Sequence, residues 1–418
     1  MIETVSVPYI VPLEIILPDE PLLMMGAGPV PIPPRVAAAN SIVINHLGET
    51  MNKVIEQIKE MGRYVFQTTS SQVMGVGGPG SAAMEMAISN LVHPGDKVLC
   101  ICNGYFSHRM AEMVSRVRGE PVVLQVANNE QADVEVVEKA LRTTKFDAIT
   151  LVQGETSNTV CNRDLDRIAR LAKEHGCLVI VDAVCTLSTM PLEMDQWGID
   201  AVITGGQKGL SSIPGVSLLA FSDKAWNEKV TARTEMPFHW CLDAQLADKF
   251  WNQKSYHYTA PVSGLLALHE ALRLVCVETL PNRFYRHLHC SEALQAGIEA
   301  LGLQLLVPKQ HRLNSVIGIV TPSQVSADVV RTHMSRVHRV EISGAFGLNI
   351  LRIGQMGEQS RAHNLFRTLH ALGASMQTAG ADLDLPAGMA ELERFLSQPR
   401  SNATSMTRAT LCDTVILA

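Results

Sequence analysis

No run of about 18 uncharged apolar residues occurs in the chain, so no membrane-spanning helix is expected. No block of Lys and Arg occurs either, and the formal net charge over 418 residues is -6. That balance argues against nucleic acid or an anionic membrane as a partner. The opening stretch MIETVSVPYIVPLEIILPDE is apolar, yet it carries Glu3 and Glu14 and no basic leader. It does not read as a signal peptide. Cys-x-x-Cys, His-Glu-x-x-His and Gly-x-Ser-x-Gly are all missing. Their absence speaks against a zinc site and a serine hydrolase, and no metal is expected. His287-Leu-His-Cys290 is the one cluster of ligating types, but it falls in a helical pattern, where residues two apart do not share a face. The nine cysteines are odd in number and scattered, several of them in apolar runs. They read as reduced, buried thiols of a cytoplasmic protein. Serine-Lys-Leu is not the terminal tripeptide; the chain ends Ile-Leu-Ala.

What is present is ordinary globular composition, 46% hydrophobic and 18% charged. Such a length exceeds one small core. After a Pro-rich entry, residues 51–66 place Met51, Val54, Ile55, Ile58 and Met61 at helical spacing. Apolar strand-like runs follow at 97–102, 147–153, 177–184, 201–206 and 215–221. The stretch 164–176 between two of them carries Leu165, Ile168, Leu171 and Ala172 on one helical face, with Gly176 as a stop. Continuous apolar strands separated by amphipathic helices predict an α/β fold with a mostly parallel sheet covered on both faces. Around Pro261 the texture changes to a long helical stretch, 263–300, broken at Pro281, and then to LQLLVP, SVIGIVTP and NILRIG. We expect an N-terminal arm at residues 1–25, a large domain at 26–260, a smaller C-terminal α+β domain at 261–378, and a partly disordered extension at 379–418 that holds one short helix.

Open parallel sheets bind ligands at the carboxyl ends of their strands. There the sequence places Gly80 and Ser81 in a turn opening a helix, Asn103 to Phe106, Gln153 with Glu155 to Ser157, Asp182, and Gln207 with Lys208. Pyridoxal phosphate asks for this set. Its aldehyde needs a lysine, its pyridine nitrogen a carboxylate, its phosphate a helix N-terminus, and its ring an aromatic face. Each residue alone also has a plainer use, as a solvated loop lysine, a helix cap, a turn or a core ring. Their joint order favours the cofactor. The glycines around Lys208, in TGGQKGLSSIPG, let a flat ligand approach the backbone.

DAVCTL followed by GGQKGLSSIPGVSLLAFSDKAW resembles the class V aminotransferases of fold type I, most closely the alanine–glyoxylate and serine–pyruvate subgroup. YVFQT, QGETSN, MPFHWCLDAQLADKFW, YHYTAPV, LGLQL and LRIGQMG take part, so the likeness runs from about Met24 to about Ala374. It implies a seven-stranded sheet in the large domain and a transaminase that moves an amino group from alanine or serine to glyoxylate or pyruvate by a ping-pong route. By the same resemblance Lys208 carries the cofactor as a Schiff base, Asp182 pairs with the pyridine nitrogen, and Phe106 stacks on the ring. Gly80, Ser81 and Gln207 contact the phosphate, and Thr156 bonds the ring hydroxyl side. Tyr256 and Thr259 reach the phosphate of a neighbouring subunit, which implies a homodimer with shared sites. Arg352 clamps the substrate carboxylate and Gly28 lines the substrate side. His46, near the mouth, either contacts substrate or caps a turn. Phe106 stands where Trp is frequent, and Ser81 where some relatives have His.

Three specialised reactions of the class resemble the chain as alternatives: ureidoglycine–glyoxylate, 2-aminoethylphosphonate–pyruvate and pyridoxamine–pyruvate transamination. A cysteine desulfurase would need a late loop cysteine, and none lies between 291 and 411. Gly75 to Gly80 matches G-x-G-x-x-G, but the preceding SSQVM reads as a poor strand and the following strand ends in Asn103 rather than an acid, so an NAD-dependent dehydrogenase is a remote alternative.

Overall fold

The computed structural model describes residues 7–345 and 347–398. Seven strands form the large sheet: β1 (Val73–Gly77), β2 (Lys97–Cys102), β3 (Glu120–Gln125), β4 (Ala148–Val152), β5 (Leu178–Asp182), β6 (Ala201–Gly205) and β7 (Val216–Phe221). Their order is β1-β7-β6-β5-β4-β2-β3. Pairings among β2 to β6 are parallel, and β7 runs antiparallel to both of its neighbours. Every residue of β4, β5 and β6 is buried, which is why these strands read as unbroken apolar runs rather than alternating ones. The helical pattern at 51–66 becomes α1 (Glu49–Phe66), and helix α2 (Gly80–Leu91) follows β1. Helix α3 (Tyr105–Arg116) follows β2, and α4 (Leu165–Glu174) buries Leu165, Ile168, Ala169 and Ala172.

Two strands were not legible in advance. Residues 70–74, expected to make a poor strand, contribute Val73 and Met74 to β1. That strand is held by β7 on one side, and Gly75 and Gly77 lie within it rather than in a phosphate-binding turn. β3 is an edge strand that begins Glu120-Pro121 and is largely exposed. Its position at the edge tolerates the proline, which cannot donate to a ladder.

A smaller sheet comprises β8 (Gln304–Leu305), β9 (Val316–Val320), β10 (Ser343–Ala345) and β11 (Leu348–Gly354), in the order β8-β9-β11-β10. The helical stretch before it is two helices, α5 (Val262–Glu278) and α6 (Leu280–Ala300), parted at Thr279 by a positive φ of 68° with proline in the first turn of α6. Leu265, Leu268, Leu272 and Val275 of α5, and Leu280 of α6, belong to the large core. Cys290, Ala293, Leu294 and Ile298 of α6 belong to the small one, together with residues of α7 (Ala327–His338), α8 (Ala362–Thr378) and α9 (Leu385–Leu396). We therefore propose that the two cores divide within α6. Expected features beyond residue 398 lie outside the described residues. Among the described residues no helix is long and apolar enough to cross a membrane.

The N-terminal segment ties the two cores together. Leu23 and Met24 pair in parallel with Val340 and Glu341, and Met25 enters the small core. The next residues then run toward the carboxyl edge of the large sheet. At the opposite edge of that sheet a buried ion pair fixes the strand starts. Asp200, 1% exposed, accepts from Lys173 Nζ at 2.8 and 2.9 Å, from Val179 N–H at 2.9 Å and from the Ser222 hydroxyl at 2.9 Å. Removing Asp200 leaves the Val179 N–H and the Ser222 hydroxyl without this acceptor, and Lys173, 28% exposed, without its counter-ion. Asp200→Ala should therefore destabilise the protein by about 1–3 kcal/mol, read as a lower urea midpoint, while the folded fraction keeps its KM. A shift below about 0.5 kcal/mol, the range of ordinary surface changes, would contradict this account.

Candidate active site

The parallel order β6-β5-β4-β2 brings Lys208, Asp182, Glu155 and Phe106 to one edge from loops far apart in sequence. Asp182 closes β5 and is 4% exposed. Its Oδ1 accepts the Val184 N–H at 2.8 Å. Burial pushes the carboxyl up to about 7, and the nearby Glu155 charge adds to this; the Val184 N–H, Lys208 and Arg109 pull the other way. Lys208 lies three residues beyond β6. Its Nζ donates to the Ala27 carbonyl. Burial lowers its pKa, and the Arg352 charge lowers it further, so the amine is biased toward its neutral form.

Gly28 shows why a glycine stands beside this lysine. Its φ is +103°, and a Cβ there would fall 2.6 Å from Lys208 Nζ. Gly80, at the start of α2, meets Val184 in the same way, with a Cβ landing 2.8 Å from Val184 Cγ2. The helix start is thus pressed against the loop that follows Asp182. Ser81, next in that turn, accepts from Arg109 Nη1 at 2.8 Å. Gln207 has its Oε1 buried with no hydrogen-bond partner among the described residues, and its backbone carbonyl accepts the Val30 N–H at 3.1 Å.

Phe106 sits in the first turn of α3, half-buried against the large core. Its N–H is held by the Glu155 carboxylate at 3.1 Å. Glu155 also accepts from Ser107 N–H at 3.0 Å, Ser107 Oγ at 3.1 Å, Ser157 N–H at 3.2 Å and Ser157 Oγ at 2.6 Å. It fastens the helix start to the loop that carries Thr156. Thr156 is 5% exposed, and its carbonyl accepts from Arg352 Nη1 at 2.6 Å. Arg352 Nε donates to the Gly344 carbonyl at 2.8 Å, and no carboxylate among the described residues pairs with the guanidinium. Burial lowers its pKa. Gly28, Ser343 and Arg352 line an open cleft of about 780 Å³.

Tyr256, Thr259 and His46 are placed apart from this group. Tyr256 is 54% exposed and its ring stands 5.9 Å from that of His46, edge to face. His46 Nδ1 is 3.5 Å from the Ala260 N–H, next to exposed Thr259. None of the three forms a hydrogen bond or ring contact with Lys208 or Asp182 among the described residues. Arg109 had no role assigned from sequence. Its one available signal was its spacing, three residues after Phe106 on a helix. Among the described residues no group of His, Cys, Asp and Glu could hold a metal ion.

The residues present fit pyridoxal phosphate. A lysine biased toward its neutral form, a buried carboxyl and a glycine-opened helix start all face one edge. Fold and site together define an α/β enzyme of the fold type I, pyridoxal-phosphate class. Comparison with known proteins narrows the class. The family model described as Aminotransferase class-V matches residues 35–344. An alanine–glyoxylate aminotransferase from Oryctolagus cuniculus is 35% identical over 366 residues, covering 85% of this chain and 92% of the relative. The solved alanine–glyoxylate aminotransferase from Nostoc sp. is 33% identical with a TM-score of 0.83, covering 86% of this chain and 96% of that one. The ureidoglycine–glyoxylate aminotransferase from Bacillus subtilis is 28% identical with a TM-score of 0.88, covering 91% of this chain and 99% of that one. The chain belongs to the class V aminotransferases, and it is a pyridoxal-phosphate-dependent aminotransferase.

The Asp182 carboxyl generates a pH test on the cofactor-free protein. Folded Asp182 titrates at about 7, whereas an unfolded aspartate titrates at about 4. Between those values the folded state holds the extra proton, so stability from neutral Asp182 falls as pH rises and stays lost above about 7. Asp182→Asn keeps an acceptor for Val184 N–H and removes the buried charge. The cofactor-free Asn variant should exceed cofactor-free wild type in urea stability at pH 8, with the gap narrowing at pH 5. A gap that widens toward acid would reverse the assignment of the buried charge.

Proposed function

We propose that the enzyme transfers the amino group of a small amino acid, alanine or serine, to glyoxylate or pyruvate. The observation that carries this is Arg352, nearly buried, without a carboxylate partner among the described residues, and lining the same cleft as the glycine that touches Lys208. Two carbonyls hold its Nε and Nη1, which aims the fork and leaves further N–H donors for a substrate carboxylate. The names of the alanine–glyoxylate relatives support the substrate class.

Pyridoxal phosphate, when bound, would supply an electron-withdrawing ring that acidifies the Cα–H of the substrate amino acid. Lys208 Nζ, whose burial favours the uncharged amine, would accept that proton and return it. The Asp182 carboxylate holds a proton on the ring nitrogen, an ion pair that also compensates its own burial. Phe106 supplies an apolar face, and Thr156 a hydroxyl beside it. Gly80, Ser81 and Gln207 hold the phosphate end. Arg352 orients the carboxylate so that the Cα–H faces the lysine.

We propose further that two copies share their sites, with Tyr256 and Thr259 of one copy completing the phosphate end of the other and His46 at the mouth. Supporting this, the arm carries exposed Tyr9, Ile10, Leu13 and Ile16, at 94%, 72%, 66% and 65%, and Tyr256 lies exposed beside His46. A reducing, cytoplasmic setting suits the eight free thiols among the described residues.

The likeness to the ureidoglycine–glyoxylate enzyme favours a second reading, a specialised amino donor. Half-reactions of the purified enzyme separate the two. Alanine or serine, given alone, should bleach the visible absorbance of the bound cofactor. Bleaching only by ureidoglycine, 2-aminoethylphosphonate or pyridoxamine would replace the first reading with the second. Arg352→Lys should raise KM for the amino acid by roughly 10- to 100-fold, since a bidentate charged pair is lost. Its cofactor affinity should stay within about threefold, because a loss near 1.4 kcal/mol is tenfold and no cofactor contact is assigned to Arg352. Equal loss of cofactor would mark Arg352 as structural instead.

A further inference from the structure

We propose that Arg109 is a binding residue for the cofactor's phosphate, working with Ser81; this rests on the pyridoxal-phosphate reading above. Arg109 lies one helical turn after Phe106 on α3, so the two side chains share a flank. Its Nη1 donates to Ser81 Oγ at 2.8 Å. Its Cζ stands 4.9 Å from the centre of the Phe106 ring and 5.0 Å from that of Tyr105. One side chain therefore touches both the turn at the start of α2 and the ring proposed to stack on the cofactor.

The guanidinium is short of partners. Arginine carries five N–H donors, and here one of them has a hydrogen-bond acceptor among the described residues. No carboxylate of those residues pairs with it. Arginines that hold the fold are satisfied: Arg283 and Arg286 share Glu278 at 2.7 and 2.5 Å, and Arg233 takes Asp243 at 2.6 Å. A half-buried cation without an anion is costly, and two aromatic rings offset only part of that cost. A phosphate dianion offsets the rest through charge-assisted hydrogen bonds.

The contact with Ser81 gives the geometry. Ser81 Oγ accepts from Arg109, so its own O–H is left to donate outward, and a hydroxyl that accepts from a cation is the stronger donor. An anion that takes this O–H lies beside the guanidinium's remaining N–H groups. Arg109 also steadies Phe106 from above its ring. The two effects differ in what they bind: the phosphate contact requires phosphate, and the ring contact does not.

Equilibrium titration of the cofactor-free protein, followed by tryptophan fluorescence, separates them. Three ligands are compared: pyridoxal phosphate, pyridoxal, and inorganic phosphate as a competitor. Arg109→Gln should weaken pyridoxal phosphate and inorganic phosphate each by on the order of 10- to 100-fold, the loss expected of hydrogen bonds to a charged group. Pyridoxal should weaken by less than about threefold, as expected where only an exposed-range cation–π contact is lost. Arg109→Lys, which keeps the charge, should recover part of the phosphate affinity. Equal weakening of pyridoxal and pyridoxal phosphate would overturn the proposal and leave Arg109 acting through Phe106. Unchanged affinity for pyridoxal phosphate would overturn it outright. Wild-type protein that fails to bind pyridoxal phosphate at all would instead bring down the underlying cofactor reading. A second measurement uses wild type alone, in case the variants do not fold. Phenylglyoxal labelling of Arg109, mapped by peptide mass, should be blocked by inorganic phosphate, and labelling that phosphate leaves unaltered would refute the contact.

Discussion

Glu155 is fully buried, and the geometry of the site hangs on its carboxylate. It accepts N–H donors from Phe106, Ser107 and Ser157 and the hydroxyls of Ser107 and Ser157. A buried carboxylate is tolerated only when its lone pairs are filled, and here two loops must meet to fill them. The start of α3, with Phe106, is thereby locked to the loop with Thr156, and through the Thr156 carbonyl to Arg352 on β11 of the small sheet. The negative charge also sits where the helix dipole favours it. The same charge bears on Asp182 and raises its pKa. One side chain thus sets distances for three proposed site residues and the field for a fourth.

Charges in the molecule fall into two kinds. Those that hold the fold are paired: Asp200 with Lys173, Glu278 with Arg283 and Arg286, Asp243 with Arg233. Those at the carboxyl edge are not, among the described residues. There Asp182 has one backbone donor, Lys208 a carbonyl, Arg352 two carbonyls and Arg109 a hydroxyl. Burial moves Asp182 and Lys208 toward their neutral forms, each away from the charge it carries in water. Such a site stores unfavourable desolvation that a zwitterionic, phosphorylated ligand can relieve. Ligand binding and local stability are then linked in the same residues.

Much of the large sheet was legible because strands buried on both faces are apolar throughout, as at Ala148–Val152, Leu178–Asp182 and Ala201–Gly205. The break between α5 and α6 was legible from Pro281. β1 was not, because Gly75 and Gly77 dilute its apolar pattern, and the cross-strand ladder with β7 outweighs their poor strand propensity. β3 was not, because an exposed edge strand carries little hydrophobic signal. Among the proposed site residues, Lys208, Asp182, Gly80, Ser81, Phe106, Thr156 and Gln207 could be placed together because strand ends of a parallel sheet share an edge. Arg109 could not be, because a polar residue on an amphipathic helix is ordinarily a solvated one.

The amino-acid sequence by itself determined the fold class and the chemical types at the carboxyl edge. These follow from local pattern and from covalent constraint, which the chain carries wherever it goes. Tertiary structure alone decided which charges are left without counter-ions, that Arg109 meets Ser81 and Phe106, and that residues 26–28 thread between two cores to reach the lysine. It also decided that Tyr256 and Thr259 stand away from the Lys208 edge of their own chain. Burial and pairing depend on which distant segments pack together, and no local pattern encodes that distance.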